Sequence, residues 1–339
     1  MKRFVYIVFA ASSICLFTFN CIHAQEKSAF WGNVEAYLQK QAFHMFELVD
    51  QALTENPPVT GDPMVRKLAL YNLDAMLHET KYDNSEAFNN FLNSRINQAI
   101  ANLLNPAGEG LKIYKIYNDG FIARTNSVTI AFDLVRGSCN NQTLIPDVLI
   151  QQLVDECDVL FITHNHGDHA DPVVAEMFIK AGKPVIGPTN LWIENKEIQH
   201  IRSEKTIDQS VKLKNNKKLQ VKILPGHQDE LMNNIYVVTT EEKKTIAHIG
   251  DQYNKKDIEW IAGINKEIPL VDALVVNCWT HRMHDLVEGF APRLVVTGHE
   301  NEMGHTIDHR EAFWLTFQKM KNISRDYVVM GWGECFQCR

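Results

Sequence analysis

Thr163-His164-Asn165-His166-Gly167-Asp168-His169 follows directly on the apolar, β-branched run Val159-Leu160-Phe161-Ile162. Three imidazoles and a carboxylate leave the end of one buried strand together. These are ligand types that first-row divalent metals take, and a loop anchored on a rigid strand can aim them at one point. A lone histidine here would read as structural; this density at alternating spacing reads as a metal loop.

On either side of the loop the residues alternate between strand and helix patterns. Strands are expected at Lys112 to Tyr117, Phe121 to Arg124 after an Asp119-Gly120 turn, Val128 to Phe132, Val159 to Thr163 and Pro184 to Gly187. Later ones follow at Leu219 to Leu224, Ile235 to Thr239, Thr245 to Ile249, Ala273 to Asn277 and Leu294 to Thr297. Helices are expected at Pro146 to Cys157 and Pro172 to Ala181, so two sheets flanked by helices fit the pattern. Three later strand patterns also end in a metal-ligand type: His227 after Ile223-Leu224-Pro225-Gly226, Asp251 after Ile249-Gly250, and His299 after Thr297-Gly298.

With those residues in place, the chain resembles the metallo-β-lactamase superfamily. Its hallmark His-x-His-x-Asp-His loop is matched by His164, His166, Asp168 and His169, and the resemblance covers about Leu111 to the C-terminus. It implies an α/β fold, a four-layer αββα sandwich. It also implies one metal held by His164, His166 and His227, and a second by Asp168, His169 and His299, with Asp251 bridging. Asp133, ending the strand Val128 to Phe132, matches a family aspartate that supports a ligand histidine; an ordinary turn aspartate is the alternative.

Two adjacent cations bring the pKa of a shared water to near neutrality and neutralise charge on the attacked group. Zinc suits this ligand set best, and manganese and iron accept it too. Asp168 could orient the nucleophile. His281 and His305, together with Trp279, His284, Glu300 and Glu302, follow strands that run toward the loop and are candidates for substrate contact and proton transfer. His309 is expected to open the helix carrying Phe313, Trp314 and Phe317, and Cys335 with Cys338 to form a local disulfide.

Residues from about Phe30 to Leu104 carry helical periodicity instead. Met64, Leu68, Leu73, Met76 and Leu77 form one stripe and Phe88, Leu92, Ile96, Ala99, Ile100 and Leu103 another. Three helices follow from this, with Asp62-Pro63 and Asn84-Ser85 as caps and Asn105-Pro106-Ala107-Gly108 as the stop. The stripes need a partner surface, at the site mouth or in a subunit contact, which leaves a homo-oligomer open.

Before them, Lys2 and Arg3 precede an apolar run from Phe4 to Phe19, which reads as an export signal cut after Ala24. Lipidation of Cys21 is the alternative and the one route to a membrane. The organisation expected is a signal peptide over 1–24, a helical module over 25–110 and a catalytic domain over 111–339, periplasmic or secreted.

The chain has 339 residues, of which 45% are hydrophobic and 22% charged, which excludes disordered and fibrous classes. A formal charge of -7 offers no basic face for a phosphate backbone, so nucleic acid is not the expected partner and a small molecule is. The functional expectation is an exported binuclear metallohydrolase acting on an ester, lactone, amide or phosphodiester. The alternatives are an iron redox enzyme of the same fold and a non-catalytic metal-holding envelope protein.

Overall fold

The computed structural model describes residues 30–201, 204–214 and 217–338. The signal peptide expected over 1–24, with Cys21, lies outside these residues. Three helices come first: α1 (Val34–Glu55), α2 (Met64–Leu77) and α3 (Glu86–Leu104). Ser85 caps α3 as the sequence suggests, its Oγ accepting from Phe88 N at 3.2 Å. Asp62 does not cap α2, because its carboxylate is drawn 2.6 Å from the Lys67 ammonium. The α3 stripe is buried throughout. On α2 the buried face runs through Ala69, Leu70, Leu73 and Leu77, while Met64 and Leu68 face solvent, so that expected stripe is rotated.

Thereafter strands dominate: β1 (Leu111–Tyr117), β2 (Gly120–Arg124), β3 (Thr129–Phe132), the small hairpin β4 (Ser138–Cys139) and β5 (Gln142–Thr143), then α4 (Asp147–Glu156). Next come β6 (Val159–Phe161), α5 (Pro172–Lys180), β7 (Val185–Pro188), β8 (Gln199–Ile201), β9 (Ile207–Lys212), β10 (Lys218–Gln228), β11 (Leu231–Thr239) and β12 (Thr245–His248). The rest is α6 (Lys255–Ile261), β13 (Ala273–Asn277), α7 (Met283–Phe290), β14 (Leu294–Gly298), α8 (Phe313–Met320), β15 (Asp326–Val328) and β16 (Glu334–Cys338).

They build two seven-stranded sheets, in the orders β16-β1-β2-β3-β6-β7-β8 and β15-β14-β13-β12-β11-β10-β9. Each sheet is antiparallel on one side and turns parallel where a helix intervenes, at β3–β6 in the first and β12–β13 in the second. One core lies between them: Phe121, Ile130, Phe132 and Phe161 from the first sheet meet Ile223, Tyr236, Ile246, Val275 and Val296 from the second. Each such side chain contributes about 1.5–3 kcal/mol on burial. Helices α3, α4 and α5 pack in sequence over the first sheet and α7 lies on β13, so the four layers run helix, sheet, sheet, helix.

The early helices are fastened to the sandwich by charge. Glu334 on β16 takes a bidentate grip from Arg66 of α2 (2.9 and 2.6 Å) and faces Arg95 of α3 at 3.4 Å, all three side chains buried. Arg95 also donates to Trp332 O at 3.0 Å and to Asp50 of α1 at 2.9 Å.

The expected disulfide between Cys335 and Cys338 is not formed; both are free, as are Cys139, Cys157 and Cys278. The reason is the strand. Cys335 pairs opposite Tyr114 and Cys338 opposite Leu111 on β1, so the two sit three residues apart in an extended chain, on opposite faces. At about 3.4 Å per residue that separation exceeds the Cα spacing a disulfide can bridge.

Candidate metal centre

The chain gathers its chemistry at the C-terminal ends of β6, β12, β13 and β14, the usual place for a site in a parallel sheet. His164 and His169 on the loop after β6 are fully buried, and His166 is exposed. Their rings approach closely: 4.2 Å between the centroids of His164 and His169, and 4.8 Å between His164 and His166. A single helical turn, in which His169 N and Ala170 N both donate to His166 O, folds the loop back.

Asp133 fixes the orientation of these rings from behind. Its Oδ1 accepts from Thr163 N at 2.7 Å, and its Oδ2 accepts from Thr163 Oγ1 at 2.6 Å and from His169 Nδ1 at 2.9 Å. Because the Thr163 hydroxyl gives its proton to Asp133, it can only accept at His164 Nδ1, 2.9 Å away. Both imidazoles are therefore held through Nδ1, with Nε2 turned to the cluster. Metal-binding histidines are held in this way, the ring nitrogen away from the ion fixed by an oxygen.

Asp251 lies at the centre. Its Oδ1 is 3.2 Å from His169 Nε2, and its Oδ2 is 3.6 Å from His164 Nε2 and 3.8 Å from His299 Nε2. Asn277 Nδ2 donates to Oδ1 and Gln228 Nε2 donates to Oδ2 at 3.0 Å. Gly250 before it has φ +52, and a Cβ there would meet Thr163 Oγ1 at 2.6 Å, so only glycine lets the strand end pass this close to the histidine loop. His299 has φ +70, its N donates to Asn118 O at 3.1 Å, and its Nε2 is 3.1 Å from Asp168 Oδ2.

Five overlapping trios of donors lie within 4.8 Å of one another among the described residues, and the two that include the cavity-lining His166 and Asp168 are His164, His166 and Asp251, and Asp168, His169 and His299. His227 does not join either trio. Its Nδ1 is 3.0 Å from Asp257 Oδ2 on α6, and β10 runs on through Gln228 in unbroken register with β11. Strand alternation then turns His227 and Gln228 to opposite sides, and it is Gln228 that reaches Asp251.

The residues fit divalent cations. Nε2 of His164 and Nε2 of His169 are buried and make no hydrogen bond. Although burial pushes the other way, the facing imidazoles, His169 first, hold the Asp168 and Asp251 carboxyls well below the usual range. Burial likewise opposes charge on His169 and His299, yet Asp251 and Asp168 keep His169 well above its usual value and bring His299 to about 9. His164, where burial and then His169 dominate, falls to about 3. The cluster keeps its carboxylates ionised and retains positive charge among them.

In front of the cluster lies a cavity of about 760 Å³ whose lining includes His166, Asp168, Gln228, Trp279, His281 and His305. His305 Nε2 is 3.9 Å from Asp168 Oδ2, and burial lowers its pKa, which leaves a neutral ring beside the donors. His309 lines the same cavity and does not open a helix; α8 begins only at Phe313. His284 is exposed beside Asp285 on α7, away from the cavity lining. Glu300 and Glu302 turn inward, the first onto Lys115 and the second onto Tyr117 OH at 3.1 Å.

Two residues escaped the sequence reading. Gln228 carries no ligand signature, and Asp119 looks like a hairpin turn. Asp119 is fully buried with neither oxygen hydrogen-bonded, 3.7 Å from His248 Nε2 and 4.0 Å from His169 Nδ1. His248 itself stacks on Phe132 at 5.2 Å between centroids and donates or accepts only behind the cluster.

Igni18, a metallo hydrolase from Ignicoccus hospitalis, superimposes with a TM-score of 0.50 at 19% identity, over 68% of this chain and 99% of that one. The chain has the metallo-β-lactamase fold. At that identity the likeness speaks for the metallo-β-lactamase sandwich and not for an activity. CmlA, a diiron β-hydroxylase from Streptomyces venezuelae, gives a TM-score of 0.46 at 14% identity over 69% of this chain and 55% of that one. A possible metal-dependent hydrolase from Veillonella parvula gives 0.48 at 14% over 67% and 99%. No protein-family model and no curated protein matches the chain.

Proposed function

We propose that the chain is a metallohydrolase that holds two divalent cations, zinc first, one at His164, His166 and Asp251 and the other at Asp168, His169 and His299, with Asp251 between them. The observation that carries this reading is the pair of buried, unbonded Nε2 atoms of His164 and His169 facing a carboxylate. Bound divalent ions would supply Lewis acidity, acidifying a water and drawing charge from the attacked oxygen.

The chain's own residues do the rest. Asp133 and Thr163 hold the two rings in one tautomer, and Asn277 and Gln228 hold the Asp251 carboxylate. Asp168 accepts a hydrogen bond from the attacking water and orients it. His305, neutral and 3.9 Å from Asp168, takes up at Nε2 the proton that the attacking water loses and then passes that proton to the leaving group. The bond cleaved is an ester, lactone, amide or phosphodiester of a small molecule. Export, from the leader over 1–24, places this activity in the periplasm or outside the cell.

Elemental analysis of the purified mature chain should find about two divalent ions per molecule. An ester, lactone, amide and phosphodiester screen should find turnover that Asp251→Ala abolishes together with the metal. A single tightly bound iron would favour redox chemistry instead, and a metal-free protein without turnover would remove the hydrolase reading.

A further inference from the structure

The mouth of the cavity has an unbalanced charge. β10 and β11 pair up to Gln228 and Leu231, so Asp229 and Glu230 are the two residues of a tight hairpin turn. Asp229 has φ +48 and its carbonyl accepts from Asn254 Nδ2 at 2.7 Å, which anchors the turn against the loop before α6. Both residues line the cavity, both are exposed, and neither carboxylate has an ion-pair partner among the described residues. Among the described residues no lysine or arginine lines the cavity.

Its walls are aromatic. Trp279 stands edge to face with His305 (centroids 6.4 Å, 88°) and with His309 (5.7 Å, 86°), and Tyr253 leans on His281 at 5.3 Å. The Trp279 indole N–H is buried and donates to nothing. Rings beside carboxylates, without a cation of the protein's own, form the surroundings in which a positively charged nitrogen is held by ring quadrupoles and by Coulomb attraction. An anionic group would meet two like charges there and no counterion away from the metal donors.

We propose that the substrate carries a positively charged nitrogen on the part remote from the reacting bond, held between the carboxylates of Asp229 and Glu230 and the rings of Trp279 and Tyr253. Where the reacting bond lies rests on the proposed hydrolytic function; the charge preference of the cavity does not.

The test is calorimetric binding of benzyltrimethylammonium, benzyl alcohol and benzenesulfonate to the purified protein, before and after metal removal by a chelator. The cation should bind about tenfold or more tighter than the alcohol, in both states, and the sulfonate weakest. The double substitution Asp229→Asn with Glu230→Gln should remove about tenfold of cation affinity and its salt dependence, with metal content unchanged. Trp279→Leu should also weaken the cation more than the alcohol. Equal binding of alcohol and cation, a preference for the sulfonate, or a double variant that binds the cation like the parent would each overturn the proposal. Absence of metal or of turnover, with the binding order intact, would instead count against the hydrolase reading alone.

Discussion

Glu334→Ala tests the fastening of the helices to the sandwich. Glu334 is 1% exposed, and Arg66 and Arg95 opposite it are 3% and 2% exposed. Removing the carboxylate leaves Arg66 with only the carbonyls of Asn56 and Val329, while Arg95 keeps Asp50, Thr54, Gln98 and the Trp332 carbonyl. It also strips Gly331 N of its 2.7 Å acceptor. Breaking a buried pair from one side costs about 3–5 kcal/mol, a large fraction of the roughly 5–15 kcal/mol that stabilise a native protein. Arg66→Ala should cost somewhat less, since Glu334 keeps Arg95 at 3.4 Å, and the double variant should cost less than the sum by about 1–3 kcal/mol, because both single changes break the same bidentate contact. Urea unfolding followed by circular dichroism and by tryptophan emission measures all three, Trp332 lying beside the triad. The two probes should report one shared transition. A loss below about 1 kcal/mol, strict additivity, or helices that melt apart from the sheets would refute the reasoning.

Asp133→Ala should weaken metal binding about 10–100-fold in a chelator competition, because His169 loses the acceptor that fixes its ring. His227→Ala should release less metal than His164→Ala by elemental analysis, since His227 stands outside both donor trios. His305→Ala should lower kcat about a hundredfold or more with metal content retained, while His284→Ala should change neither. Burial raises the Asp74 carboxyl to about 6, although it accepts from Phe313 N, Trp314 N and Asn301 Nδ2. The folded protein therefore binds this proton more tightly than the unfolded chain. About 3 kcal/mol of stability present below pH 4 should be lost as pH rises to 6. Asp74→Asn should flatten that slope in urea titrations across this range.

The histidine loop was legible because its density and its position after a β-branched run leave little else for it to do. The structure brings Asp251 and His299, each a ligand type just past an apolar strand, to that loop. It sets His227 beside Asp257 instead, because β10 continues past Leu224 through Gln228 and its pleat decides which side chain faces Asp251. The cysteine pair failed through strand geometry too: Cys335 and Cys338 lie in a strand whose pattern, Glu-Cys-Phe-Gln-Cys, gives no clear alternation. Asp119 needed the tertiary fold, since a turn aspartate declares itself only when another strand end, here Gly298, presses against it. Exposed Met64 and Leu68 show the limit of stripes, as a helix period fixes a face only to within the width of its apolar arc.

Glu334 is 268 residues along the chain from the arginine it grips most closely. During synthesis the helices bearing Arg66 and Arg95 appear first, and β1 follows with one edge open until β16 arrives to pair with it. Neither the first sheet nor the charge triad can close before that last strand exists. Contacts so distant in sequence raise the entropic cost of closing the loop between them and slow folding relative to local contacts. Without Glu334 the buried Arg66 would have no carboxylate to neutralise it and Arg95 would keep Asp50 alone, so the strand that completes the first sheet also completes its charge balance.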